Sequence, residues 1–181
     1  MQSNETFERF KQMTLDRMEW ARGYTLALIE GLSDEQLIAR AGGKGNHALW
    51  IMGHLASTDD YLLHAVAGQE MQLDEATTAL FGSGSEPVDD ASAYPSRRAL
   101  FELMQQHRLR ITQWFESLDE TSAWQALPEP LRIFAPDAIS MAVSLSGHDM
   151  IHAGQITAVR ASLGLPRLMD QEVKDAQESA V

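Results

Sequence analysis

The chain has 181 residues, of which 44% are hydrophobic and 22% are charged, a composition that fits one globular domain with a single sizeable core. The formal net charge of -12 disfavours nucleic acid or an anionic membrane as a partner, and the absence of cysteine excludes disulfides, thiolate ligands and a cysteine nucleophile. No apolar run approaches the ~20 residues of a membrane span. The first residues lack the basic start and apolar centre of a signal peptide, so we expect a cytoplasmic location.

The first predicted helix runs from Thr6 to Glu30 and is apolar on two sides. One face consists of Leu15, Met18, Leu26 and Ile29, and the other, roughly opposite, consists of Phe10, Met13, Trp20 and Tyr24. A helix with two apolar faces needs two contacts, so we expect the second face to meet another subunit or the chain's own loops. After Gly31, the S-D-E-Q capping box that starts at Ser33 predicts a short helix to about Arg40.

The second predicted helix begins after Asn46, which we expect to be its cap, and ends near Ala67. Its core-facing stripe has helical spacing and consists of His47, Trp50, Ile51, His54, Thr58, Tyr61, Leu62 and Ala65. His54 therefore lies among apolar neighbours. Asp59, Asp60 and His64 lie off this stripe, and we expect them on a solvated face.

A connection without clear periodicity spans residues 68–94, and Pro95 then opens the third predicted helix. The connection is long enough to cross the bundle, so the second and third helices need not be antiparallel neighbours. The stripe of this helix consists of Leu100, Leu103, His107, Ile111, Trp114 and Leu118. We interpret His107, its only polar member, as a core histidine with a hydrogen-bond partner.

The fourth predicted helix carries a histidine pair. Asp137 is expected to cap it, and Gly164 and Pro166 to end it. Its stripe consists of Met141, Leu145, His148, His152, Gln155, Val159 and Leu163. His148 and His152 lie one turn apart on the same face. From the residues alone they either bind one metal ion or are two buried histidines, each hydrogen-bonded to a neighbour.

Four long amphipathic helices, with no internal repeat and no β pattern, predict an all-α protein with a four-helix bundle. We assign residues 1–168 to this bundle domain and residues 169–181 to a polar C-terminal tail. Three histidines, His54, His148 and His152, then lie on core-facing stripes of two helices.

Two segments resemble the signatures of a known family. The segment N-H-A-L-W-I-M-G-H-L-A at residues 46–56 is similar to the helix-two signature of the DinB/YfiT-like metalloenzymes. The segment H-D-M-I-H-A-G-Q-I at residues 148–156, followed by Arg160 and Leu163-Gly164, is similar to the helix-four signature. The resemblance extends from the first helix to Pro166, with both motifs in the family's order.

This resemblance implies a bundle with up-down-down-up connectivity and a divalent metal ion, nickel or zinc, held by His54, His148 and His152. It also implies a homodimer and a small-molecule substrate. Some members of the family transfer low-molecular-weight thiols such as bacillithiol, mycothiol or glutathione, or catalyse thiol-dependent isomerisation. The expected function is therefore that of a metal-dependent transferase that uses an external thiol. Three imidazole ligands leave a coordination position open, as in catalytic zinc sites.

Two alternatives stay open on the sequence: a stress-related metal-binding bundle without turnover, and a metal-dependent hydrolase. A closed apolar end above the histidines would favour these two alternatives. A cleft with hydrogen-bonding or cationic groups would favour the transferase, and Arg160 and Arg17 are the candidates to bind an acidic thiol there.

Two further polar residues of these motifs, Asp149 and His47, could lie near the three histidines. The H-D-x-x-H pattern at residues 148–152 is similar to the H-E-x-x-H helix of zinc proteases, but its acid is one methylene shorter and the third histidine lies upstream. We therefore expect Asp149 to lie on the surface or to support a metal ligand. His47 lies two turns before His54, too far to share its metal, and could line the pocket or cap the helix.

Overall fold

The computed structural model of the protein describes residues 2–168 and confirms the all-α fold class. The described part contains four long helices and two short ones: α1 Gln2–Glu30, α2 Ala48–Ala67, α3 Glu75–Phe81, α4 Arg97–Ser117, α5 Glu120–Ala123 and α6 Ala138–Ser162. The four predicted helices correspond to α1, α2, α4 and α6. The predicted tail at residues 169–181 lies outside the described residues.

The long helices run up, down, down and up, as expected. α1 packs mainly on α6, and contacts from Arg22 to Asp149 and from Arg160 to Leu28 show that these two helices are parallel. α2 packs mainly on α4. One apolar cluster contains residues from the first half of α2, the first half of α4 and the end of α1. A second cluster contains residues from the second half of α2, the end of α4 and the start of α1. α2 and α4 are therefore parallel to each other and antiparallel to α1.

A layer of buried charges separates these two apolar clusters. Each long helix contributes one residue to this ionic layer: Arg22, Asp59, Arg108 and Asp149. Asp59 accepts hydrogen bonds from Arg22 Nη2 at 3.2 Å and from Arg108 Nε at 2.9 Å, and Asp149 accepts one from Arg22 Nε at 2.9 Å. Since each carboxylate contacts two guanidinium groups, the layer is balanced in charge and joins all four long helices.

The structure contradicts the expected position of Asp59 and Asp60 and excludes one of the two positions considered for Asp149. Asp59 and Asp60 do not lie on a solvated face, and Asp149 does not lie on the surface, because all three carboxylates are buried. Asp60 contacts Arg110 Nη1 at 2.7 Å and His107 Nδ1 at 3.2 Å. A charged side chain can be buried when it has an opposite charge and hydrogen bonds on a neighbouring helix, and hydrophobic periodicity does not report such partners.

Two of the helix starts differ from the expected ones, and a third agrees. The cap of α2 is His47, whose Nδ1 accepts a hydrogen bond from the Trp50 backbone at 3.1 Å, because Asn46 donates instead to Gln155 Oε1. Ser96 caps α4, so Pro95 precedes the helix rather than opening it. Asp137 caps α6 as expected.

The long connection between α2 and α4 contains a helix that the sequence did not predict. This helix, α3, spans Glu75–Phe81 and is capped by Asp74, whose carboxylate accepts a hydrogen bond from the Thr77 backbone. Its last residue, Phe81, is fully buried against Gly53 of α2. The short helix expected at 33–40 is instead a single 3₁₀ turn at Gln36–Ile38, with the reciprocal bonds of the predicted capping box between Ser33 and Gln36.

The two apolar faces of α1 differ in exposure. Leu15, Met18 and Ile29 are buried in the bundle, whereas Met13 is 59% exposed and Trp20 is 52% exposed. Phe10 stacks on Trp124 of the loop that follows α5, with ring centroids 5.7 Å apart. The loops therefore cover only one end of the second face.

Within residues 2–168, no helix combines the length and the apolar character that crossing a membrane requires.

Candidate metal centre

Three histidines from two helices converge on one point between α2 and α6. His54 lies on α2, and His148 and His152 lie one turn apart on α6. The Nε2 atom of His148 lies 3.3 Å from that of His54 and 3.1 Å from that of His152. Helical spacing predicted that each ring points inward, and the structure brings the three rings into one group that could hold a metal ion.

Hydrogen bonds at the far side of two rings determine which nitrogen faces the centre. The Phe81 carbonyl lies 2.8 Å from His54 Nδ1, and Gln155 Oε1 lies 2.9 Å from His152 Nδ1. Both oxygens are acceptors, so each Nδ1 carries the proton and each neutral ring presents an Nε2 lone pair to the centre. Second partners of this kind orient metal-ligating histidines in known metal sites.

The chemistry of this donor set fits a divalent ion. His148 can donate at most one proton from its Nε2, so the two lone pairs of His54 and His152 cannot both be satisfied within the group. Ligands that lie about 2.0–2.1 Å from a tetrahedral ion are about 3.3–3.4 Å from each other, close to the observed Nε2 separations. The three residues can therefore act as three ligands and leave a fourth position open.

Burial keeps the three imidazoles neutral, which is the form that binds a metal. Desolvation, together with the neighbouring histidines, lowers the pKa of His148 to about 4, and desolvation is also the main cause that lowers the pKa of His152 to about 4. Burial likewise lowers the pKa of His54, although the Phe81 carbonyl opposes the shift. Trp50 stacks on His54 with ring centroids 4.5 Å apart and contributes to this burial.

A cavity of about 570 Å³ opens beside the histidines, and His54 and His148 form part of its wall. The cavity lies between α2, the end of α3, the loop before α6 and the first turns of α6. Its apolar lining consists of Leu62, Pro130, Leu131, Phe134, Met141 and Leu145. Its hydroxyl-bearing lining consists of Ser57, Thr58, Tyr61, Thr78, Ser83 and Ser144. The end of the bundle above the histidines is thus a cleft large enough for a small molecule.

The other predicted histidines lie away from the three-histidine group. His47 caps α2, and its Nε2 contacts the Val88 carbonyl at 3.0 Å. His107 is a buried core histidine with Asp60 as its partner, as interpreted from the sequence. His64 is exposed at the end of α2.

Neither arginine that was considered for binding an acidic thiol lines the cavity. The Arg160 guanidinium is buried and donates to the carbonyls of Leu28 and Pro166, which closes the end of α6 against α1. Arg17 lies on the outside of α1, over the ring of Trp20. The expectation that these two arginines bind a thiol in the cavity was therefore wrong.

The sequence did not identify the groups that support the three histidines. Gln155 is on the predicted stripe of α6, but its bond to His152 was not foreseen. The Phe81 carbonyl lies in a connection that has no helical periodicity, and a backbone acceptor has no sequence signature. A short apolar run after Asp74, a good cap residue, was the one local signal for α3.

A comparison with family models identifies the family of this chain. No curated protein matches the chain. A family model described as the DinB superfamily matches residues 17–156, a span that contains His54, His148 and His152. Because this match covers well over half of the chain, the protein belongs to the DinB superfamily.

Proposed function

We propose that His54, His148 and His152 hold one divalent ion, nickel or zinc, and that the protein is a metal-dependent transferase that uses an external low-molecular-weight thiol. The observation that carries this proposal is the position of the cavity. His54 and His148 lie in the wall of a space of about 570 Å³, so an ion held by the three histidines would lie beside a substrate-sized cleft. A structural site would instead be closed by a fourth protein ligand.

His54, His148 and His152 would hold the ion, and a divalent ion bound there would lower the pKa of a coordinated thiol and so would supply a sulfur nucleophile near neutral pH. The chain's own residues orient the ligands: the Phe81 carbonyl and Gln155 hold the Nδ1 protons of His54 and His152. In the transfer, the thiol loses its proton to solvent and its sulfur forms a bond to an electrophilic carbon. The leaving group departs with the electron pair of the bond that breaks.

The cavity also favours a transferase over the two alternatives. A bundle that only stores or senses a metal has no need of a substrate-sized space beside it. A hydrolase usually places a carboxylate near the metal as a general base, but no aspartate or glutamate lies among the described residues that line the cavity. Since the chain has no cysteine, the thiol must come from outside the protein.

The metal assignment is tested by elemental analysis of untagged protein after metal loading and desalting. We expect about one ion per chain for the wild type and almost none for His148→Ala, because two imidazoles do not retain a divalent ion well. His64→Ala is the matched control, since His64 is an exposed histidine on the same helix as His54. Full metal retention by His148→Ala would refute the assignment.

The reaction is tested with cobalt-substituted protein, which gives a sulfur-to-metal charge-transfer band when a thiol coordinates. Glutathione, bacillithiol, mycothiol and coenzyme A are compared, and their conjugation to a generic electrophile is assayed in parallel. We expect at least one thiol to produce the band and to be consumed faster than in the metal-free control. If none does either, the transferase proposal fails and the alternative without turnover replaces it.

We further propose that the protein is a cytoplasmic homodimer and that its interface contains the outer surface of α1 and α6. Met13 and Trp20 on α1 and Val143 and Met150 on α6 are exposed, and we call these four residues the α1/α6 outer face. The two helices are parallel neighbours, so their exposed apolar side chains form one surface. Pairing with a second copy would remove this surface from water.

A further inference from the structure

The cavity beside the three histidines has an electrically neutral wall. Apart from those histidines, the described residues that line it are apolar or carry a hydroxyl group. Leu131, Met141 and Leu145 form its buried apolar side, while Ser57 and Thr58 lie on the α2 side. The Ser144 hydroxyl is already engaged, because it donates to the Phe134 carbonyl at 2.7 Å.

The arginines of the bundle core are committed to other partners, and so is Arg132 of the loop before α6, which donates from Nε to the Leu127 carbonyl at 2.7 Å. Arg22 and Arg108 bind the carboxylates of the ionic layer, and Arg160 binds backbone carbonyls at the end of α6. The net charge of -12 adds a long-range repulsion toward anions. Away from the three histidines, an anionic group within the cavity would therefore lose its hydration without gaining a counter-charge from the protein.

A cationic ligand meets a similar difficulty. No carboxylate lies among the described lining residues, and a bound divalent ion with three neutral ligands keeps its positive charge. A mainly apolar molecule gains from contact with the leucine and methionine side chains, and its carbonyl or hydroxyl oxygens can bond to serine and threonine hydroxyls. Tyr61 and Phe134 are 48% and 62% exposed, so they add an aromatic rim at the opening of the cavity.

From this neutral wall we infer that the cavity binds an uncharged, mainly apolar small molecule, and that the electrophilic substrate belongs to this class. The inference depends on the proposed function only in treating the cavity as the substrate site. Any charged portion of the external thiol must remain outside the opening, in solvent.

The test uses two dyes that differ by one charged group, N-phenyl-1-naphthylamine and 8-anilinonaphthalene-1-sulfonate. Both become fluorescent in an apolar site, and both are titrated into metal-free wild-type protein at pH 7.5. We expect the neutral dye to bind at least ~10-fold more tightly than the sulfonate, because the sulfonate would be desolvated without a partner. Equal or tighter binding of the sulfonate would overturn the inference.

Two variants place the binding within the cavity. Thr58→Phe fills space one turn beyond His54, and Ser83→Phe narrows the cavity from its exposed side. Each should weaken binding of the neutral dye by at least ~10-fold, whereas the control Gln113→Phe, on the exposed surface of α4, should not. Unchanged binding in both cavity variants would place the dye outside the cavity and would also overturn the inference. Since no metal or thiol is present, this result is independent of the transferase assay.

Discussion

Gly53 and Phe81 pack so closely that a Cβ atom on Gly53 would overlap the aromatic ring of Phe81. The ring lies directly on the backbone of α2, one residue before His54. This contact positions the end of α3, where the Phe81 carbonyl accepts the hydrogen bond from His54 Nδ1. The absence of a side chain at residue 53 is thus coupled to the orientation of a proposed metal ligand.

Gly53→Ala is expected to weaken metal binding. The new methyl group would displace the Phe81 ring and with it the carbonyl that orients His54, and loss of such a supporting bond lowers metal affinity by about 10–100-fold. Overpacking would also cost about 1–3 kcal/mol of the free energy of unfolding. Competition with a chromophoric chelator measures the affinity, and urea unfolding measures the stability.

Gly23→Ala is the matched control for this substitution. Gly23 lies on an exposed position of α1, where no atom would lie within 4 Å of an added Cβ. Alanine favours the helix there, so stability should rise by up to about 1 kcal/mol and metal affinity should stay unchanged. A Gly53→Ala protein with normal metal affinity would show that the Phe81 carbonyl does not support the site.

The stability of the metal-free protein should fall as the pH decreases from 6.5 to about 4. Desolvation lowers the pKa of His148 and His152 to about 4 in the folded state, against 6.5 for an ordinary histidine. His54 and Arg22 also favour the neutral rings, while Asp149 opposes the shift. The unfolded chain therefore binds more protons in this range, and the free energy of unfolding decreases with falling pH.

Urea unfolding in a chelating buffer at pH 7.5, 6.0 and 5.0 measures this dependence. The free energy of unfolding of the wild type should fall on the order of 2 kcal/mol further over this range than that of the double variant His148→Gln, His152→Gln, after allowance for the partial solvent exposure of His148. Bound metal should move this loss of stability to lower pH, because a metal ion binds only the neutral imidazoles and so opposes their protonation. Equal slopes for the wild type and the double variant would contradict the prediction.

The bundle and the three histidines were predictable because both depend on helical periodicity. Leu145 and Val159 identify the inward face of α6, and that face contains His148 and His152. The Phe81 carbonyl and the ionic layer were not predictable in this way. The burial of Asp59 depends on guanidinium groups from α1 and α4, 37 and 49 residues away in sequence, and the pattern within α2 contains no record of them.

The ionic layer leads to a prediction about stability. Asp59→Asn leaves Arg22 and Arg108 with only the Asp149 carboxylate, so one buried positive charge loses its counter-charge. Desolvation raises the pKa of Asp59, but the two arginines oppose that rise. Breaking a buried ion pair by removing one partner costs about 3–5 kcal/mol, and we expect the free energy of unfolding, measured with urea, to fall by this amount.

Glu102→Gln is the comparison for the ionic layer. Its carboxylate contacts Arg98 at 2.8 Å, but the Glu102 and Arg98 side chains are 61% and 87% exposed, so the loss of unfolding free energy should be far smaller than in Asp59→Asn. Similar losses in Asp59→Asn and Glu102→Gln would show that the buried layer contributes no more than a surface pair.

The proposed homodimer predicts that Trp20→Glu separates the two copies. Trp20 is 52% exposed at the centre of the apolar face of α1, and a carboxylate there would bring like charges together from both subunits of a protein that already carries a net charge of -12. Loss of a buried aromatic side chain at an interface costs about 2 kcal/mol or more, so the dimer dissociation constant should rise at least ~30-fold. Sedimentation equilibrium and light scattering measure this dissociation constant.

Phe101→Glu is the control, since Phe101 is an aromatic residue of α4 that is 38% exposed and lies outside the α1/α6 outer face. A wild type that is monomeric at every accessible concentration would refute the dimer, and dissociation by Phe101→Glu but not by Trp20→Glu would move the interface to α4.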